Sequence, residues 1–156
     1  VGYLRTMKEY LTNIPELTLK YKSGDLKKVQ IKSSKDAADY MRLMFDVDTI
    51  EACESVIVMY MNRSNNSIGW FKVSQGGISG TVIDVRLILA TALKCLASGM
   101  IICHNHPSGN CSPSEADIKI TQKLKESGTI MDIQLLDHLI LTPEGGHYSF
   151  ADEGKL

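Results

Sequence analysis

The sequence predicts an α/β layered domain built on a mixed β-sheet. Three observations carry that prediction. Strand-sized apolar runs recur along the chain, the most apolar at 55–61. Three stretches with helical apolar spacing alternate with them. Turn signals tight enough for hairpins occur beside connections long enough for crossovers, so parallel and antiparallel pairs are both expected. The 156 residues suffice for one ordinary domain with its own core. Hydrophobic residues make up 44% and charged residues 22%, which argues against a largely disordered chain.

The elements follow in order. Residues 1–16 read as an arm in which Leu4, Met7 and Leu11 allow a short helix that Pro15 stops. Residues 17–22 alternate as a strand, 23–25 form a turn, and 28–32 are the hairpin partner. Ser34 is placed as the N-cap of a helix over 35–45, with Ala38, Met41, Leu43 and Phe45 inward. Glu54 opens the run 56–61, apolar on both faces as a central strand should be. Residues 62–67 are a polar turn, and 68–74, with the single Trp70, are the antiparallel partner. A Gly/Ser loop follows at 75–80. Asp84 caps a helix over 85–97, with Ile88, Leu89, Ala92 and Leu96 on one face and Gly99 at its end. Residues 100–103 are a short buried strand. The run Ser112-Pro113-Ser114-Glu115 starts a third helix, with Ile120 and Leu124 inward and Gly128 at its end. Residues 133–136 and 139–142 make the last apolar strand region, and 148–150 a short closing strand. The organisation expected is an arm and short strand over 1–27, then one domain over 28–156.

Composition narrows the function classes. No apolar stretch approaches the ~18–20 residues of a membrane span. Seventeen Lys and Arg against eighteen Asp and Glu give a net charge of −1, without the basic excess of a dedicated nucleic-acid binder. Neither a membrane nor a nucleic acid is expected as partner. Four cysteines without C-x-x-C spacing suit a reducing compartment. Arg5, Lys8 and Glu9 interrupt any apolar core of a signal peptide. The expected location is cytoplasmic. Self-association stays open.

The chemistry concentrates in one stretch, 103–117. His104 and His106 stand two apart at the end of an apolar strand, so alternation puts both imidazoles on one face. Pro107 and Gly109 break the strand. The next helix brings Ser114 and Asp117, three apart, onto one face. Two imidazoles and a carboxylate converging at a strand-to-helix junction suit one Zn²⁺ per chain, with a coordination position left for water. Other readings fit less well. A zinc deaminase needs H-x-E and P-C-x-x-C, and neither occurs. The contiguous His104-Asn105-His106 is not the dispersed triad of an HNH nuclease. Cys103 adjoins His104 on a strand and should point away, a poor co-ligand; Cys111 in the following loop is a weaker objection.

His104-Asn105-His106, seven residues, Ser114, two residues and Asp117 match the JAMM signature H-x-H-x₇-S-x-x-D. The run Gly76 to Arg86, the string Leu135-Leu136-Asp137-His138-Leu139-Ile140 and the tail 148–154 resemble the RadC-like branch of the JAB/MPN proteins. The resemblance implies a three-layer α/β/α fold similar to cytidine deaminases, zinc, and metallopeptidase chemistry of the isopeptidase type on a peptide or protein substrate. It also implies an upstream glutamate at the start of a core strand. Glu54 fits that place and Glu51 is the alternative. The implied roles are His104, His106 and Asp117 as metal ligands, Glu54 as general base and then acid, and Ser114 as a donor to the oxyanion. For Ser114 the alternative is a plain helix-start serine. Ser108 reads as a turn former, Arg86 as one half of an ion pair, and His147 as an exposed loop residue. Asp137 and His138 alternate across a strand, so at most one faces the metal. Two further classes remain: a partner-binding module of this fold without turnover, and a DNA-repair-associated accessory of the RadC type.

Overall fold

The computed structural model describes residues 28–77 and 81–156. The expected arm, the strand at 17–22 and the turn at 23–25 lie outside the described residues, as do 78–80 of the Gly/Ser loop. Gln30 bridges to Asn66, and Ile31 N donates to Asn65 O at 2.9 Å, so this short segment pairs with the turn of the next hairpin.

The first helix, α1 (Ser34–Arg42), begins one residue earlier than expected. Ser33 is the N-cap, its side chain accepting from Asp36 N at 3.1 Å. Ser34 Oγ instead donates to Asp152 Oδ2 at 2.5 Å. Ala37, Ala38 and Met41 form the buried stripe. Leu43, five residues after Ala38, falls off that stripe and is 81% exposed, contrary to its expected inward place. Phe45 is buried, but from the turn after the helix.

Strands β1 (Ser55–Met61), β2 (Ser67–Gln75), β3 (Gly99–Asn105), β4 (Gln134–Leu141) and β5 (His147–Ser149) form one sheet in the order β2-β1-β3-β4-β5. The β1–β2, β1–β3 and β4–β5 pairs are antiparallel and β3–β4 is parallel, so the sheet is mixed as predicted. Every residue of β1 and β3 is buried, as their apolar runs require of central strands.

Helices α2 (Val85–Lys94) and α3 (Glu115–Ile130) complete the chain. Alternation divides the sheet's side chains between two cores. Ile57, Met59, Ile101, Cys103 and Leu139 pack with Ala37, Ala38 and Met41 of α1. Val58, Tyr60, Ile102 and Leu135 pack with Ile88 and Ala92 of α2 and Leu124 of α3. The result is a three-layer α/β/α arrangement.

Several boundaries differ from the sequence expectation, each for a local reason. Asp84 caps α2, but the helix stops at Lys94. Leu96 takes φ 55°, leaves the helix and is 65% exposed. Gly99 opens β3 and does not cap α2. The N-cap of α3 is Ser114, not Ser112, and its capping-box partner is Asp117. Gly128 lies within α3. A Cβ there would stand 2.4 Å from Ile133 O, so glycine allows the chain to return directly into β4. The last apolar region is one strand, β4, because the intervening Asp137 and His138 are both buried and hydrogen-bonded. His147 is a half-buried member of β5, not a loop residue. None of the helices among the described residues is long and apolar enough to cross a membrane.

Candidate metal centre

The C-terminal end of β3, the central strand, meets the N-terminus of α3. His104 is fully buried and faces the α2/α3 layer, opposite Val56 of β1 and Ile140 of β4. His106 follows the last residue of β3, its amide donating to Leu141 O at 2.8 Å. The two rings meet edge to face, with Nε2 atoms 2.9 Å apart. Asp117 closes the group. Its Oδ1 is 3.2 Å from His104 Nε2 and its Oδ2 is 3.6 Å from His106 Nε2. One ligand atom from each of the three lies within 4.8 Å of the others, and the group could hold a metal ion.

The capping box aims the carboxylate. Ser114 N and Ser114 Oγ both donate to Asp117 Oδ2 at 2.7 Å, while Asp117 N donates back to Ser114 Oγ at 3.1 Å. Burial alone would push the Asp117 carboxyl up. The two imidazoles and the Ser114 hydroxyl outweigh it and hold the group well below the usual carboxylate range. The same carboxylate raises His106 against the opposing effect of burial.

The donor set fits a cation. His106 Nδ1 lies 2.7 Å from Asn110 O, a group that can only accept, so its proton sits on Nδ1 and its Nε2 lone pair faces His104. Two ring nitrogens at 2.9 Å beside a carboxylate need a shared proton or a cation between them, and a divalent metal can serve. Histidine nitrogen and carboxylate oxygen are ordinary ligands of Zn²⁺.

Glu54 stands half-buried just before β1 and shares a groove of about 700 Å³ with His106, Ser114 and Asp117, whose other wall includes Val82, Ile83 and Ile120. Glu51, the alternative, is exposed in the preceding turn and does not line it. Cys103 is buried in the α1 core on the opposite face of the sheet, as alternation required. Cys111 is outside the group. Arg86 bonds Asp84 at 2.7 Å at the start of α2. Ser108 lies in the turn after His106. Of the pair on β4, His138 faces the group, with Nε2 2.8 Å from His104 Nδ1. Burial, then the nearness of His104, keeps His138 far below the ordinary histidine range. Asp137 faces the other way and accepts from Ser149 Oγ at 2.6 Å.

The geometry agrees with a comparison of sequences. The profile of the RadC-like JAB domain matches residues 31–155. The chain belongs to the RadC-like JAB domain family. Curated relatives carry the name UPF0758 protein. One from Flavobacterium johnsoniae is 44% identical over 89% of this chain and 59% of its own length. One from Aquifex aeolicus is 37% identical over 90% of this chain and 58% of its own length. One from Porphyromonas gingivalis is 46% identical over 66% of this chain and 45% of its own length. This JAB domain chain thus spans about three fifths or less of these relatives.

Sequence reasoning missed two polar residues that organise the site of this RadC-like domain. Asn105, between the two histidines, is fully buried on the α1 face. It bonds three backbone groups of the segment that carries Glu54. Thr121, one turn into α3 from Asp117, bridges Asp117 O and His138 Nδ1. The only sequence signal for either was a polar residue at a position that periodicity buries.

Proposed function

We propose that the domain is a zinc-dependent hydrolase of amide bonds, of the metallopeptidase or isopeptidase type. The observation that carries this reading is the groove that Glu54 shares with His106 and Asp117, the two that converge with buried His104 into a group that could hold a metal ion. JAB domains include hydrolases, and the donor set suits Zn²⁺ as its ion. When bound, the ion would supply Lewis acidity, making water nucleophilic near neutral pH and drawing charge from the amide carbonyl.

The chain's own residues have distinct tasks in this reading. His104, His106 and Asp117 hold the ion. Glu54 accepts the proton of the attacking water and delivers it to the leaving amine. Ser114 Oγ must first release Asp117 Oδ2 before it can donate to an oxyanion. The Ser114 amide bonds the same oxygen, so the carboxylate stays held when the hydroxyl turns. Val82, Ile83 and Ile120 give the substrate backbone an apolar, uncharged wall.

The test is metal content followed by hydrolysis of a peptide library, comparing wild type with Glu54→Gln. Zinc without turnover in either protein favours the partner-binding module over the enzyme.

A further inference from the structure

The buried polar residues behind the metal group carry an inference that rests on the metal-binding reading above. Thr121 Oγ1 is 2.6 Å from Asp117 O and 2.6 Å from His138 Nδ1. A hydroxyl has one proton, and a carbonyl oxygen only accepts. The Thr121 proton therefore goes to Asp117 O, and the Thr121 oxygen accepts from His138 Nδ1–H. His138 Nε2 is then a bare acceptor, 2.8 Å from His104 Nδ1. The proton of that contact belongs to His104 Nδ1. His104 is left with its lone pair on Nε2, the atom that faces His106 and Asp117.

We propose that Thr121 and His138 are positioning residues that set the tautomer of His104, so that its Nε2 lone pair is presented to a divalent cation. A ligating histidine commonly rests its second nitrogen on a carboxylate, a carbonyl or water, and each of these can take the proton. Here a second imidazole fills that place. An imidazole can donate or accept, so the direction of the bond is not set by the partner's chemistry. It is imposed one step further back, by a hydroxyl whose own proton is committed to a backbone carbonyl. Asp117 therefore enters twice, its carboxylate at the metal group and its carbonyl at the far end of the relay. Phe150 stacks on His138 with ring centroids 4.7 Å apart and planes 7° from parallel, which holds the imidazole between Thr121 and His104.

Long-range ¹H–¹⁵N spectra of histidine-labelled protein, read before and after Zn²⁺ addition, test this directly. Wild type should carry Nδ1–H on both His138 and His104. Thr121→Val keeps the shape but removes the acceptor. The His138 proton should move to Nε2, His104 should follow, and Zn²⁺ affinity by chelator competition should fall about 10–100-fold. Thr121→Ser should restore both readouts. A wild-type His138 protonated on Nε2 overturns the relay. So does Thr121→Val with wild-type tautomers, whether affinity is kept or lost, since a loss would then be merely structural. If Thr121→Val does not fold, the wild-type spectra decide. Wild type that takes up no Zn²⁺ removes the metal reading and the relay together; uptake with the opposite tautomer removes the relay alone.

Discussion

Asn105 Oδ1 accepts from the Ser55 amide at 2.8 Å, joining the strand that carries the histidines to the first residue after Glu54. Asn105 Nδ2 also donates to Ile50 O at 2.7 Å and Cys53 O at 2.9 Å. From the far side, Gly76 N donates to Glu54 O at 2.8 Å. The glutamate segment has little regular structure of its own, yet its backbone is held on both sides. One buried side chain thus couples its position to that of His104 and His106.

Asn105→Leu should therefore be costly. It leaves the Ser55 amide and two carbonyls without their partner, and each buried orphan costs about 1–3 kcal/mol. Partial relaxation makes a total loss of roughly 2–4 kcal/mol the expectation, read from chemical denaturation. Asn105→Asp keeps the acceptor but sets a carboxylate oxygen against the Ile50 and Cys53 carbonyls in a fully buried place, so at neutral pH it should cost at least as much. A loss below the error of the measurement would mean that water replaces all three bonds.

The metal group makes a separate prediction. Protein purified without chelator, or reconstituted with Zn²⁺, should hold about one ion per chain, as expected of a single three-ligand site. His106→Ala should lose most of it, because only Nε2 of His104 and one carboxylate remain. Full retention in His106→Ala by elemental analysis would place the metal elsewhere.

The metal group was legible because both of its halves are local. Alternation along β3 places His104 and His106, and the Ser114–Asp117 capping box aims the carboxylate. Glu54 came from the family resemblance, which asks for a glutamate at the start of a core strand, and the structure places it in the groove with His106 and Asp117. The relay was not legible, because His138 reaches His104 through the parallel β3–β4 pairing. That register shifts between Met100 and Ile101, and no local pattern encodes it. Helix ends failed for a related reason. Leu43 and Leu96 extend an apolar pattern that the backbone abandons, and a leucine in the left-handed region is not anticipated by propensity.

Metal removal should leave the fold intact. Each core is closed by apolar side chains of the sheet and of the helix layer on its own side, and His104, His106 and Asp117 belong to neither. Chelated protein should melt in one cooperative transition. Zinc at 100 times its Kd should then add about 2.7 kcal/mol by mass action. Unfolding on chelation, as in structural zinc domains, would contradict this.

Gly128→Ala tests the turn from α3 into β4. Alanine improves helix propensity by about 1 kcal/mol. Its Cβ would stand 2.4 Å from Ile133 O and 3.0 Å from Met100 Cε. The first of these is backbone and cannot swing aside. The overlap should win, with a net loss of roughly 1–3 kcal/mol, read as a lower Tm. A higher Tm would show that the β4 entry can shift without cost.

Glu54 should separate metal binding from turnover. It lines the same groove as His106 and Asp117 but lies outside the group that could hold a metal ion. Glu54→Gln keeps the size and can still bond a water, but it cannot take the proton. Zinc content should stay near wild type while hydrolysis falls by ~10²–10⁴, the usual worth of a general acid–base. Asp117→Asn should act differently, because it removes a charged ligand and one half of the capping box, so zinc affinity itself drops. Glu51→Gln should do neither, since that side chain is exposed in the turn before the groove. Loss of turnover in Glu51→Gln with a silent Glu54→Gln would move the base one turn back along the chain. Full activity in both variants would mean that the proton travels through another group, and the assignment of Glu54 would fall.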